Sequence, residues 1–314
     1  MHNKFFTLFI TMALALFSGC SAESGQTDPE TGTASEALAV PRLAVITLDG
    51  LLKVKEGPLN APWVDEWSGA KGVSLSGTRI AVKASDGSCW VTDGELQATW
   101  VNVASGITDC TVAGNRIAVT TNDGHCLVKE GALTANWVDE YAGVGQCLIS
   151  SNRIGVVRAD GHFLVKEGML NAPTWVDEFA GAYQVLLAGN RIGVLTNDIA
   201  RVLYVKEGSL SGQWVNEYTD VVHADLAGNR IGILTAARDY LVKEGTLSAT
   251  WNIIWTQAQG GVIASTLSSD NNRIGLLLLN GPGNHFTFKV KEGALGAPWT
   301  DEFSEVLFGY LPNN

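Results

Sequence analysis

The sequence predicts an all-β fold, a seven-bladed β-propeller of four-stranded antiparallel blades. Three observations carry that prediction. The first is an internal repeat. A Lys-Glu-Gly phrase or a variant of it ends at Gly57, Gly94, Gly131, Gly168, Gly208, Gly245 and Gly293, in steps of 37, 37, 37, 40, 37 and 48 residues. A fixed period of this size dictates an array of one small structural unit. The second is turn chemistry, with two short turn signals and one longer loop inside every unit. The third is composition: 35 Gly and 10 Trp against 3 Met in 314 residues, a profile that suits strands and tight turns and disfavours helices.

The elements follow in order within a unit such as the one beginning at Gln146. Ser151-Asn152, elsewhere Gly-Asn or Gly-Thr, joins a first apolar run to a second, and Asp160-Gly161 joins the second to a third. Both pairs tolerate positive φ and read as two-residue hairpin turns. The third run ends at Gly168, a six-residue loop follows, and Trp175 to Phe179 forms a short fourth strand. One such sheet cannot bury both faces, whereas seven stacked radially do so. Hairpins at two points per repeat argue against a solenoid of parallel strands. The ends support closure: residues 42–50 begin as a second strand with no first, and residues 305–310 supply a first strand with no second. The C-terminal strand is therefore expected to complete blade one.

Ahead of the repeat, His2 and Lys4 precede an apolar run over residues 5–17 that ends in Ser18-Gly19-Cys20. This resembles a bacterial lipoprotein signal peptide, although Phe17 departs from the usual Leu, Val or Ile. The resemblance implies lipidation at Cys20, a membrane anchor there, and an outer-membrane or secreted protein. Residues 21–41 are rich in Ser, Thr, Gly and Glu and read as a disordered tether. The expected organisation is thus a signal peptide over 1–20, a tether over 21–41 and a propeller over 42–314.

The repeated residues are the candidate site. Trp63, Trp137, Trp175, Trp214, Trp251 and Trp299 recur once per blade, as does Trp100. Each is readable as a packing anchor between blades or as a stacking platform for a sugar ring. Counting outward from a two-residue Asp160-Gly161 turn pairs Arg153 with Gly168. Arginine and glutamate then project from opposite faces, so Glu130 is expected to meet Arg153 of the next blade, and Glu207 to meet Arg230. Arg153, Arg191 and Arg230 accordingly join the tryptophans as ligand-binding candidates in polar pockets between blades. Blade two carries Thr92-Asp93-Gly94 instead, and a site there is expected to be weakened. Cys89 with Cys110 and Cys126 with Cys147 are disulfide pairs that respect the repeat, but the same counting argues against bonds between blades, and free thiols remain open. No histidine has metal-ligand spacing and no Ser/His/Asp set or carboxylate pair stands out in the sequence, so neither metal nor cofactor is expected and an enzyme ranks third, as a propeller glycosidase or lyase.

The Asp-Gly hairpins, tryptophans such as Trp175 and the turn from Gly189 to Ile192 resemble bacterial lectin-type propeller repeats of the Photorhabdus-lectin and tachylectin kind. That resemblance implies a multivalent glycan binder with equivalent shallow pockets. A net charge of −11 without a basic run excludes a phosphate-backbone partner. The alternative is a scaffold that binds a cell-envelope protein through one end face.

Overall fold

The computed structural model describes residues 40–270, 272–280 and 285–312. Cys20, the signal peptide and residues 21–39 of the tether lie outside the described residues. The propeller has seven four-stranded antiparallel sheets, ordered by sequence in six cases, with one short 3₁₀ turn, at Gln257–Gln259, among the described residues. Blades two to seven cover residues 70–105, 107–142, 144–180, 182–218, 221–255 and 261–304. Blade one is composite. Its strands Arg42–Thr47, Leu51–Glu56 and Val64–Ser68 are completed on the inner side by Val306–Tyr310, which pairs Tyr310 with Ala44. The expected closure is what the chain does.

Each blade runs from an innermost first strand to an outermost fourth. The core is divided among the gaps between blades. Seven apolar clusters each straddle one seam, as where Leu43 and Val45 of blade one pack on Leu277, Phe288 and Val290 of blade seven. The second strand of blades four to seven carries Gly155, Gly193, Gly232 or Gly275 beside the seam. A methyl group on Gly232 would stand 2.1 Å from the Tyr240 hydroxyl, and one on Gly275 would stand 2.7 Å from Phe288. At Gly155, Gly232 and Gly275 the missing side chain makes room for Phe163, Tyr240 and Phe288 of the third strand, and at Gly193 for Leu186 and Leu226.

One register differs from expectation and corrects two readings. Arg153 pairs with Glu167 and Ile154 with Lys166, one residue away from the two-residue turn count. Residues 159–161 form a three-residue connection, with the Gly161 amide donating to the Arg158 carbonyl (2.9 Å) and Gly161 at φ +86°. That is a type I turn closed by a left-handed glycine, which adds one residue to the loop. A one-residue shift turns every side chain of the third strand to the opposite face. Arginine and glutamate are therefore same-face partners within a blade, and Glu130 pairs with Arg116 of its own blade (3.8 Å), not with Arg153. For the same reason the cysteines face across seams. Cys89–Cys110 joins blade two to blade three, and Cys126–Cys147 joins blade three to blade four.

Candidate functional site

The repeated polar residues gather at the seams, on the face that carries the Gly-Asn turns and the long loops. In six of the seven blades a buried lysine stands two residues before the terminal glycine, and in four seams it meets a glutamate from the fourth strand of the preceding blade. The pairs are Lys55 with Glu302, Lys166 with Glu140, Lys206 with Glu178 and Lys243 with Glu217. The same ammonium lies over the blade's own tryptophan, 4.6 Å from the Trp63 centroid and 4.7 Å from that of Trp299, with Trp137, Trp175, Trp214 and Trp251 in equivalent positions. The tryptophan edge then reaches the preceding blade: Trp63, Trp137 and Trp251 donate Nε1–H to the carbonyls of Glu302, Val103 and Glu217. Trp63, Trp175, Trp214, Trp251 and Trp299 also meet Phe303, Tyr141, Phe179, Tyr218 and Trp255 nearly edge-on. All six candidate tryptophans are half-buried, with one ring face under a lysine, so each bonds two blades together.

Three seams lack a complete ion pair. Glu66 faces Thr92 where the other blades have lysine, and burial raises its carboxyl above the ordinary value of 4.5. Lys129 faces Val103 and Lys291 faces Ile254, and burial lowers both ammonium groups. The lysine recurs in six of the seven units, a signal that sequence reasoning passed over in favour of arginine.

The arginines form the second tier. Each lies beside the acid of its own blade, as in Arg153 Nε to Glu167 (2.7 Å) and Arg191 to Glu207 (3.2 Å). Each also donates to the terminal-glycine carbonyl of the next blade: Arg42 to Gly94, Arg79 to Gly131, Arg116 to Gly168, Arg153 to Gly208, Arg191 to Gly245, Arg230 to Gly293 and Arg273 back to Gly57. The expected link between blades exists, but it runs through a backbone carbonyl. In blade two Asp93 still reaches Arg79, at 2.8 Å. The Nη1 atoms of Arg79, Arg116, Arg153, Arg191 and Arg230 are buried without a partner, whereas Arg42 Nη1 is taken up by the Thr78 carbonyl and Arg273 Nη1 by that of Pro41. Between blades four and five a surface pocket of about 510 Å³ opens here, lined by Asn152, Arg153, Glu167, Asn190, Gly208 and Ser209 among others. It brings Arg153 together with its acid. The six tryptophans, Arg191 and Arg230 line other parts of the seams.

The central channel is a separate cavity of about 380 Å³, bounded by the first strands. At one register level Asp109, Gln146, Gln184 and His223 form a polar arc that Ala264 and Phe308 complete on the apolar side. Deeper in, the Asp225 carboxylate accepts from Ser265, from Tyr240 (3.3 Å) and from His223 (3.3 Å). Tyr240 reaches it because Gly232 leaves the space. This Ser, His and Asp set converges only in three dimensions. Serine and histidine both bond the carboxylate rather than one another, so the geometry does not activate a nucleophile. Sequence reasoning missed the channel because its residues sit in the first strand, where the units agree least.

No family model matches the chain, and no curated protein is similar to it. Solved structures do match. Human WBSCR16 superposes with a TM-score of 0.59 at 10% identity over 86% of this chain and 94% of its own. Prp20p of Saccharomyces cerevisiae, described with its binding properties to Gsp1p and histones, gives 0.55 at 9% over 87% and 86%. Hsv2 of Kluyveromyces lactis gives 0.53 at 12% over 70% and 72%. At such identities the likeness establishes the propeller fold alone.

Proposed function

We propose that the chain is an exported, lipid-anchored, non-enzymatic binding module whose seams take up glycan units on one face. The observation that carries this reading is the buried Nη1 donor left open on five arginines, repeated seam after seam. Each of these donors lies beside a carboxylate; those of Glu167, Glu207 and Glu244 stay more than a third exposed. A buried donor wants an acceptor, and a donor beside an exposed acceptor suits a vicinal pair of sugar hydroxyls. Several weak equivalent sites on a rigid ring gain avidity on a repetitive target. The tryptophans, covered by lysine on one face, hold neighbouring blades together beside the pockets.

The test is a glycan array with residues 38–314, followed by calorimetry on the best hit. About five equivalent sites are expected, one for each open arginine, each weak for a monovalent sugar and strong in sum for a repetitive one. Asn152→Ala should lower the stoichiometry by one and leave the remaining affinity unchanged. A single site, or silence across the array, would overturn the reading.

A second reading is a protein partner on the opposite face. Leu48, Ile263 and Leu279 are exposed on the adjoining blades seven and one, and Prp20p, of this fold, is described with binding properties to Gsp1p and histones. A pull-down that survives free glycan and is lost in Leu48→Asp with Leu279→Asp would select it.

A further inference from the structure

The channel holds two carboxylates in contrasting states. Asp225 accepts from three side-chain donors and is satisfied. Asp109, in the same cavity, accepts only the Cys110 amide at 2.9 Å. Among the described residues no cation stands within ion-pair distance of it; Lys83, whose charge acts on it, is committed to the Thr108 carbonyl. Burial accordingly raises the Asp109 carboxyl. Two further groups of the same wall are open. The Thr111 hydroxyl is buried without a partner. The Tyr310 hydroxyl has none among the described residues, and burial together with the Asp109 charge pushes it up to about 12. A half-buried carboxylate without a counter-charge carries part of the cost of a buried one, and buried polar groups in folded proteins are paired. Opposite the polar arc the wall is aromatic, with Phe308 and Tyr310 6.1 Å apart, and Leu148 and Leu186 also line the cavity.

We propose that the central channel binds a small organic cation, with its ammonium group on Asp109 and its apolar body against Phe308 and Tyr310. An ammonium supplies the N–H donors and the positive charge that Asp109 lacks, and aromatic walls favour a cation close by. A cavity of about 380 Å³ fits a ligand of modest size. The site is single, central and independent of the seams.

Titration of the full-length protein with methylammonium, butylammonium and 2-phenylethylammonium chlorides tests this. One equivalent should bind, most tightly for the largest cation, and 2-phenylethanol and phenylacetate should bind at least roughly tenfold more weakly, as loss of a buried charge pair predicts. Asp109→Asn should weaken the cation by a similar factor. Tyr310→Phe, which keeps the ring and the packing, should weaken it less and serves if the Asp109→Asn protein fails to fold. The seam sites should be unaffected in both variants. No cation binding at millimolar concentration, equal binding of the alcohol, or an Asp109→Asn protein that binds as well as the parent would overturn the proposal.

Discussion

Glu66 shows how sharply one residue decides a seam. Its counterparts Glu140, Glu178, Glu217 and Glu302 each meet a buried lysine, whereas Glu66 has Thr92 at the corresponding position and accepts only the Gln97 amide (2.9 Å) among the described residues. Removing one member of a buried pair costs roughly 3–5 kcal/mol, so Glu140→Gln should lower the unfolding free energy by about 3 kcal/mol in urea titration. The converse is Thr92→Lys, which supplies the missing cation beside Leu96 and Trp100, the equivalents of the groups that receive lysine elsewhere. A gain of about 1–2 kcal/mol is expected, reduced by the rotamer freedom that an ordered lysine loses. The gain should vanish in Glu66→Gln. A Thr92→Lys protein no more stable than its parent would refute the pairing. Glu66 also has a pH signature. Because its folded value lies above 4.5, the folded state holds a proton that the unfolded state has released as pH rises past 4.5. Its contribution is therefore present at low pH and lost as pH rises through the raised value. The stability difference between parent and Glu66→Gln, followed by denaturant midpoint against pH, should widen in favour of the variant across that window and then level off.

At the scale of the element, the seam between blades two and three is the most altered. It has Val103 and Ala104 where five of the other six blades have glutamate and all six have an aromatic, so Lys129 lacks its acid and Trp137 its edge-on partner. The Cys89–Cys110 bond crosses this seam, and Cys126–Cys147 crosses the next. Each closes a separation of 21 residues, for which loop-closure entropy predicts about 3 kcal/mol. Cys89→Ala with Cys110→Ala should destabilise by more than Cys126→Ala with Cys147→Ala, since the second seam keeps Lys166–Glu140 and Tyr141–Trp175. Thermal melts of the two double variants decide it, and equal losses would refute the compensation. These elements also show how far the sequence could be read. Strand identity and order within a blade were legible because apolar runs and turn residues are local signals. Facing was not, because Asp-Gly ends either a two-residue or a three-residue turn and the difference flips every later side chain. That single residue decided whether Glu167 or a glycine carbonyl stood across from the next arginine. It also decided whether the cysteines could meet.

At the scale of the molecule, the seven seams are one device used seven times, and the last use is the only one that joins distant sequence. Arg273 reaches Gly57 and Pro41, Lys55 reaches Glu302, and Val306–Tyr310 pairs with Arg42–Thr47. The number of blades and this closure were legible because period and strand count are properties of the whole chain. The channel was not, because its residues are brought together only by the ring itself. Closure by a strand means that blade one is incomplete until the last residues arrive. Deleting residues 305–314 should leave Arg42–Thr47 as an open edge beside the apolar cluster of Leu43, Val45, Phe288 and Val290, and such an edge pairs with other chains. The truncated protein should lose its cooperative melt and elute as aggregate. A permuted chain in which residues 305–312 precede residue 42 through a Gly-Asn turn makes blade one contiguous and should recover both. It should also refold faster than the parent, since its longest-range strand pairing becomes local. If the truncated chain melts as the parent does, the terminal strand is dispensable and the ring is held by its seams alone. If the permuted chain does not fold, closure depends on the order in which the blades are joined.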